Sequence, residues 1–214
     1  MRTIAAAVLM LITLGAAGCA PLRQSVQSSG QETNRAVVLL IDKSGSMREE
    51  NRILYAQEAA KAVARQLKDN DFLGIVGFDA SAFVLVPLEP LGKLRRVINA
   101  QIDRLKPGGQ TYFYPALMEA KRQIEKANTS RKHIILLSDG ETRGNQGELM
   151  DLISVMKKEF NITISAVAIG KEADIRVMKR IAQYGGGLFH NTSDPSTLPQ
   201  IVLDHALGDA PSAQ

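Results

Sequence analysis

Asp42, Ser44 and Ser46 stand at alternate positions in the run Asp42-Lys43-Ser44-Gly45-Ser46, directly after the apolar residues Ala36-Val37-Val38-Leu39-Leu40-Ile41. A carboxylate and two hydroxyls spaced this way, where a buried strand ends, can turn to one side and offer hard oxygen ligands to a cation such as Mg²⁺. Gly45 between the serines permits the tight backbone that this needs. Two more oxygen-bearing residues occupy comparable places. Thr111 follows Pro107-Gly108-Gly109-Gln110, and Asp139 follows a second apolar run, Ile134-Ile135-Leu136-Leu137. Alone, residues 42–46 have the composition of a solvated turn. With Thr111 and Asp139 at strand or loop ends of an alternating strand–helix chain, they read as one metal site. Lys43, Met47, Arg48 and Tyr112 neighbour these ligands and are placed to contact whatever binds there, unless they are ordinary exposed loop residues. Asp79 closes another apolar run and either lines the same rim or makes a turn with Ala80 and Ser81.

Other chemistries find less support. A serine hydrolase would expose its nucleophile on a Gly-x-Ser-x-Gly elbow, which the chain lacks. The residues after the first apolar run match neither a Gly-x-Gly-x-x-Gly turn nor a P-loop, so no nucleotide is expected. Gly185-Gly186-Gly187 follows a helical pattern and precedes a strand, the wrong order for a phosphate cradle, and reads as a helix-ending turn. His133, His190 and His205 are distant in sequence with no i, i+4 pair, which argues against zinc. The formal charge is +4, from 26 Lys and Arg against 22 Asp and Glu, with no dense basic block. Aromatic residues make up only 5% and Trp is absent, leaving few stacking platforms. Nucleic acid is therefore not an expected partner.

The elements that must position these residues can be read from hydrophobic periodicity. Strands are predicted at 36–41, 72–78, 82–87, 132–137, 162–169 and 188–191, nearly all continuously apolar as expected of strands buried on both faces. The third lies four residues after the second and is bounded by Pro87, so it is predicted to be an antiparallel edge strand. Helical stripes fill the gaps: Ile53, Ala56, Ala60, Val63, Ala64 and Leu67; Leu91, Leu94, Ile98 and Leu105; Leu117, Ala120, Ile124 and Ala127. Three more follow, led by Leu149, Ile175 and Leu198, and Asp194-Pro195 is a good start for the last. The prediction is an α/β fold: a doubly wound, mostly parallel central sheet with one antiparallel edge strand and helices on both faces. At 214 residues the chain has room for one such domain. In open parallel sheets ligands bind beyond the carboxyl ends of the strands, where Asp42 and Asp139 fall.

Residues 1–18 carry one cation, Arg2, then an apolar run and the small residues Gly15-Ala16-Ala17-Gly18. The run is short for a bilayer span and suits a secretory signal peptide. Cys19, the only cysteine, follows at once and rules out an internal disulfide. Its setting resembles a bacterial lipobox, although Ala16 stands where Leu is usual. That resemblance implies a lipidated Cys19 anchoring the chain to a membrane of the bacterial cell envelope. With Ala20 next, it implies the outer membrane facing the periplasm in a Gram-negative host. Residues 19–34 are rich in Ser and Gln and read as a tether, ahead of a domain at 35–207 and a tail at 208–214.

The set Asp42, Ser44, Ser46, Thr111 and Asp139 resembles the metal-ion-dependent adhesion site of von Willebrand factor type A domains, whose pattern is Asp-x-Ser-x-Ser, a distant Thr and a distant Asp. The likeness extends to Phe78-Asp79, Gly108-Gly109-Gln110-Thr111, Leu137-Ser138-Asp139-Gly140 and the closing Leu198-Pro199-Gln200-Ile201. It implies that Ser44, Ser46 and Thr111 contact the ion directly, while Asp42 and Asp139 hold its waters or lie close behind. It further implies Mg²⁺, with Mn²⁺ or Ca²⁺ as substitutes, and a protein partner that offers Glu or Asp as the last ligand. The expected role is a membrane-anchored, extracytoplasmic binding module for adhesion or envelope-complex assembly, and not an enzyme. The alternative is a metal-independent scaffold of the same fold; a hydrolase is the remaining class.

Overall fold

The computed structural model describes residues 34–208 apart from 141 and 172. The predicted signal peptide, Cys19, the predicted tether up to residue 33 and the predicted tail beyond 208 lie outside the described residues.

Each apolar run forms a strand: β1 (Arg35–Asp42), β2 (Phe72–Phe78), β3 (Ala82–Pro90), β4 (Arg131–Ser138), β5 (Ile162–Ile169) and β6 (Gly186–Thr192). They build one sheet in the order β3-β2-β1-β4-β5-β6. Every neighbouring pair is parallel except β2 and β3. The helices are α1 (Arg52–Gln66), α2 (Leu91–Leu94), α3 (Ile98–Ile102), α4 (Phe113–Ile124), α5 (Gln146–Phe160), α6 (Ile175–Gly185) and α7 (Leu198–Leu207). Alternation along the strands creates two cores. Ala36, Val38 and Leu40 of β1 pack towards α4, α5 and α6, whereas Val37, Leu39 and Ile41 pack towards α1, α2, α3 and α7. A strand buried on both faces has no polar side to show, which is why these runs read as continuous. This is the doubly wound α/β sheet, with the antiparallel strand at its edge.

Three boundaries differ from expectation, each for a local reason. β3 runs through Pro87 to Pro90, because Pro87 sits where the β2 register shifts between Leu73 and Ile75. A bulge on an edge strand has no ladder bond for proline to break. The single helical stripe from Leu91 to Leu105 is two short helices, α2 and α3, that turn the same face to one core, so periodicity alone does not see the break. Arg95, between them, donates to the carbonyls of Ala64 and Leu67 and fastens this corner to the end of α1. β6 begins at Gly186, inside the glycine run. Gly186 ends α6 with φ +63, as read, but a Cβ on Gly185 or Gly187 would lie 2.6 or 2.3 Å from Ile164 of β5. Two of the three glycines therefore serve close packing.

β1 lies between β2 and β4, so the chain leaves it to one side through α1 and returns to the other through α4, on the opposite face. The strand order reverses there, opening a crevice at the carboxyl ends of β1 and β4.

Candidate metal centre

Asp42 is the last residue of β1 and is fully buried. Its Oδ1 accepts the Ser44 N–H at 2.7 Å and its Oδ2 accepts the Ser138 hydroxyl, at the end of β4, at 2.5 Å. Burial pushes its carboxyl up to about 6; bonds from Ser138 and Ser44 oppose this, and the charge of Asp139 adds to it. Ser44 then caps a 3-10 turn, Gly45–Asn51, which places the serine hydroxyls 3.1 Å apart. Ser46 Oγ donates to Asp139 Oδ1 at 2.8 Å. Asp139, one residue beyond β4, is as buried as Asp42. Thr111 is also buried, and its Oγ1 would touch a Cβ built on Gly140 at 3.1 Å, so the hydroxyl stands against the Asp139 loop. All five oxygen-bearing residues expected from the sequence thus meet on one rim.

Backbone bonds lock the three loops. Gly45 N–H donates to Gly109 O at 3.1 Å, Gly108 N–H to Lys43 O at 2.5 Å, and Arg143 N–H to Thr111 O at 2.9 Å. Gly109 has φ +97, and a Cβ there would strike Asp79 at 2.7 Å, so this close approach needs glycine. Asp79 pairs with Lys43 and accepts the Ser81 N–H, while its backbone carbonyl accepts the Tyr112 N–H. Burial raises the Asp79 carboxyl, but the Lys43 bond and charge and the Ser81 bonds outweigh it and hold it below its ordinary value. It makes the turn with Ser81 and also braces the rim, so both sequence alternatives hold at once.

The neighbouring residues divide. Arg48 is exposed, with one bond to Pro107 O, and Tyr112 is half-buried on the rim. Lys43 is turned inward: besides Asp79 it donates to Gly108 O at 2.9 Å and lies over the Phe83 ring. Met47 requires correction as a partner-contacting residue. It is fully buried in the core under α1, because the 3-10 turn carries its side chain into that core while Ser46 stays at the rim.

A profile of the von Willebrand factor type A domain matches residues 36–204. The chain belongs to the von Willebrand factor type A family. Among relatives of this family, the uncharacterized protein YfbK of Escherichia coli is 30% identical over 156 residues, covering 71% of this chain and 27% of that protein. A von Willebrand factor type A structure from Catenulispora acidiphila superposes with a TM-score of 0.76 at 26% identity, over 81% of this chain and 42% of that one. A third, proximal thread matrix protein 1 from the mussel byssus with a zinc-occupied MIDAS motif, has a TM-score of 0.64 at 21% identity, over 81% of this chain and 48% of its own. The chain spans between 17% and 59% of the length of the curated relatives it matches.

In this type A domain one site residue escaped the reading of the sequence. Arg52, the first residue of α1, is buried and donates from Nη1 to Asp139 Oδ2 at 2.9 Å; its Nη2 is 3.3 Å from Glu50 and 3.7 Å from Glu49. Its signal was present, since Arg52 precedes Ala56 and Ala60 by four and eight positions on the apolar stripe. The histidines do converge in part: the His190 and His205 rings lie 6.3 Å apart, and His133 Nε2 is 2.8 Å from Ser165 Oγ. Among the described residues no three His, Cys, Asp or Glu side chains are grouped to hold a metal ion. The rim differs in kind, because three of its five donors are hydroxyls.

Proposed function

We propose that this chain is a membrane-anchored, extracytoplasmic binding domain that captures an acidic side chain of a protein partner through a divalent cation. Asp42, Ser44, Ser46, Thr111 and Asp139 would hold the ion. One observation carries the reading: three loops bring five oxygen-bearing side chains to one rim, and only two of them carry charge. The donors fit a small hard cation. The serine hydroxyls, 3.1 Å apart, are spaced like neighbouring ligands of an octahedral ion, ~3 Å for bonds of ~2.1 Å. The raised carboxyl of Asp42 is a group that a nearby cation would relieve. Bound there, Mg²⁺, Mn²⁺ or Ca²⁺ supplies a Lewis-acid position for an outside Glu or Asp. The chain's own part is to fix the hydroxyls, orient the carboxylates and keep the charge count low.

Binding is favoured over catalysis because the Ser44 and Ser46 hydroxyls are committed to each other and to Asp139, while His133 is bonded to Ser165. Membrane attachment rests on Cys19 after its small residues. Among the described residues no helix is long and apolar enough to cross a membrane. Attachment is checked by labelling with a palmitate analogue, which Cys19→Ser abolishes.

The ion is tested by thermal unfolding of the full chain in chelator and then with Mg²⁺, Mn²⁺ or Ca²⁺, beside Asp139→Ala. At about 100 times the dissociation constant the wild type gains about 2.7 kcal/mol, roughly 5–10 °C, and the variant gains nothing. An unchanged midpoint with every ion favours the second reading, a metal-independent scaffold. Its support is Arg52, which already gives Asp139 a cationic partner.

A further inference from the structure

Arg52 is in an unusual place for a cation. It opens a helix, where the backbone dipole presents positive charge and acidic groups are preferred, yet the first turn of α1 has none. It lies on the apolar stripe, where an aliphatic residue would continue the core without dehydrating a charge. The chain reaches this position through two successive left-handed residues, Glu50 at φ 47 and Asn51 at φ 55, which are uncommon away from glycine. This turn aims the first side chain of α1 across the crevice at Asp139. An arrangement that gains little for α1 and is held against both dipole and desolvation serves the group it touches.

We propose that Arg52 is a positioning and specificity-determining residue of the rim. The inference rests on the metal-capture reading above. Asp139 has two oxygens: Oδ1 accepts Ser46 and Oδ2 accepts Arg52. With Oδ2 held, Asp139 faces the rim through one oxygen only and cannot clasp an ion with both. The guanidinium charge also offsets that of Asp139, so a bound divalent ion keeps most of its charge for an outside carboxylate. Both effects select against Ca²⁺, whose affinity rises with the number of carboxylate oxygens it receives, relative to Mg²⁺ or Mn²⁺, which take fewer and keep waters. Glu49 and Glu50, both largely exposed, approach the guanidinium at Nη2, while Nη1 serves Asp139.

The test is ion binding to wild type, Arg52→Met and Arg52→Lys, followed through the electron paramagnetic resonance signal of free Mn²⁺ with Ca²⁺ as competitor. Acetate serves as the outside carboxylate, detected by the loss of bound-ion water in proton relaxation. Arg52→Met, which keeps the bulk and removes the charge, should tighten Ca²⁺ about tenfold, narrow its gap to Mn²⁺ and blunt the acetate response. Arg52→Lys, which keeps the charge, should stay near wild type in Mn²⁺ affinity and retain the acetate response. Should Arg52→Met fail to fold, Glu50→Gln carries the test. Freed of Glu50, Arg52 would bind Asp139 more closely and weaken Ca²⁺ relative to Mn²⁺, the opposite direction. Unchanged ion preference and acetate response in a folded Arg52→Met, or in Glu50→Gln, overturn the proposal while leaving metal capture standing. A wild type that binds no ion removes both.

Discussion

At the scale of single residues, the rim is expensive to fold. Asp42 is a buried carboxylate whose neighbours do not fully repay its desolvation, so its pKa stands at about 6 against an ordinary 3.8. A group with a raised folded pKa costs stability when ionised; the cost is complete above pH 6 and fades as pH falls towards 3.8. Asp42→Asn should therefore stabilise the protein in chelator at pH 7 by about 1–3 kcal/mol, with little gain left near pH 4. Urea unfolding at the two pH values checks it, and a variant less stable than wild type at pH 7 would sink the idea. The Asn side chain can still accept the Ser44 N–H and offer its amide to the Ser138 hydroxyl. Residue types made the five oxygens legible, because hydroxyls and carboxylates at strand ends are conspicuous. They misled at Met47 and overlooked Arg52 for the same reason. Burial within an irregular turn is not a property of residue type, so an apolar loop residue looked exposed and a cation in an apolar stripe passed unnoticed.

At the scale of elements, the edge strands β3 and β6 are only partly buried and read less plainly, while β1, β2, β4 and β5 were legible because burial on both faces leaves each a largely unbroken apolar word. Their ends were less so. Pro87 marks a stop only where the proline would meet a ladder bond, and the bulge opposite Gly74 removes that condition. The break between α2 and α3 is invisible to periodicity, since both pieces keep the same face inward. The glycine run shows that one signature can hold two roles: Gly186 supplies the left-handed cap, while Gly187 supplies room. Gly187→Ala would place a methyl 2.3 Å from the carbonyl oxygen of Ile164 and should cost about 2–4 kcal/mol as β6 is forced off β5. Gly108→Ala, where a Cβ meets nothing within 4 Å, should stay within about 0.5 kcal/mol. Denaturant midpoints of the two variants distinguish them; equal losses would mean that the β5–β6 contact is softer than its geometry.

For the molecule as a whole, buried Asp42 and half-buried His133, on different strands, pull stability in opposite directions with pH. Burial lowers His133 to about 4, helped by the positive surroundings of His205, Arg35 and Lys157. Its folded pKa lies below the ordinary 6.5, so its neutral ring is favoured above that value and stability drains away as pH falls from 6.5 towards 4. Asp42 regains stability over nearly the same interval. In chelator the two should nearly offset one another between pH 7 and 5. With saturating Mg²⁺ the ion would keep Asp42 ionised, leaving the His133 loss exposed, so stability should fall across the same window. Urea titrations along this series decide it, and parallel profiles with and without ion would contradict it. This coupling was beyond the sequence, which announced the parallel sheet and its antiparallel edge but not that β1 would stand between β2 and β4. That order has a consequence in time. Asp42 and Ser138 are 96 positions apart and meet only when β1 has paired with β4. An ion would find no rim to occupy until the pairing most distant in sequence is complete. Its grip would then lengthen the life of the native state by slowing unfolding, while the rate at which new chains fold stays the same.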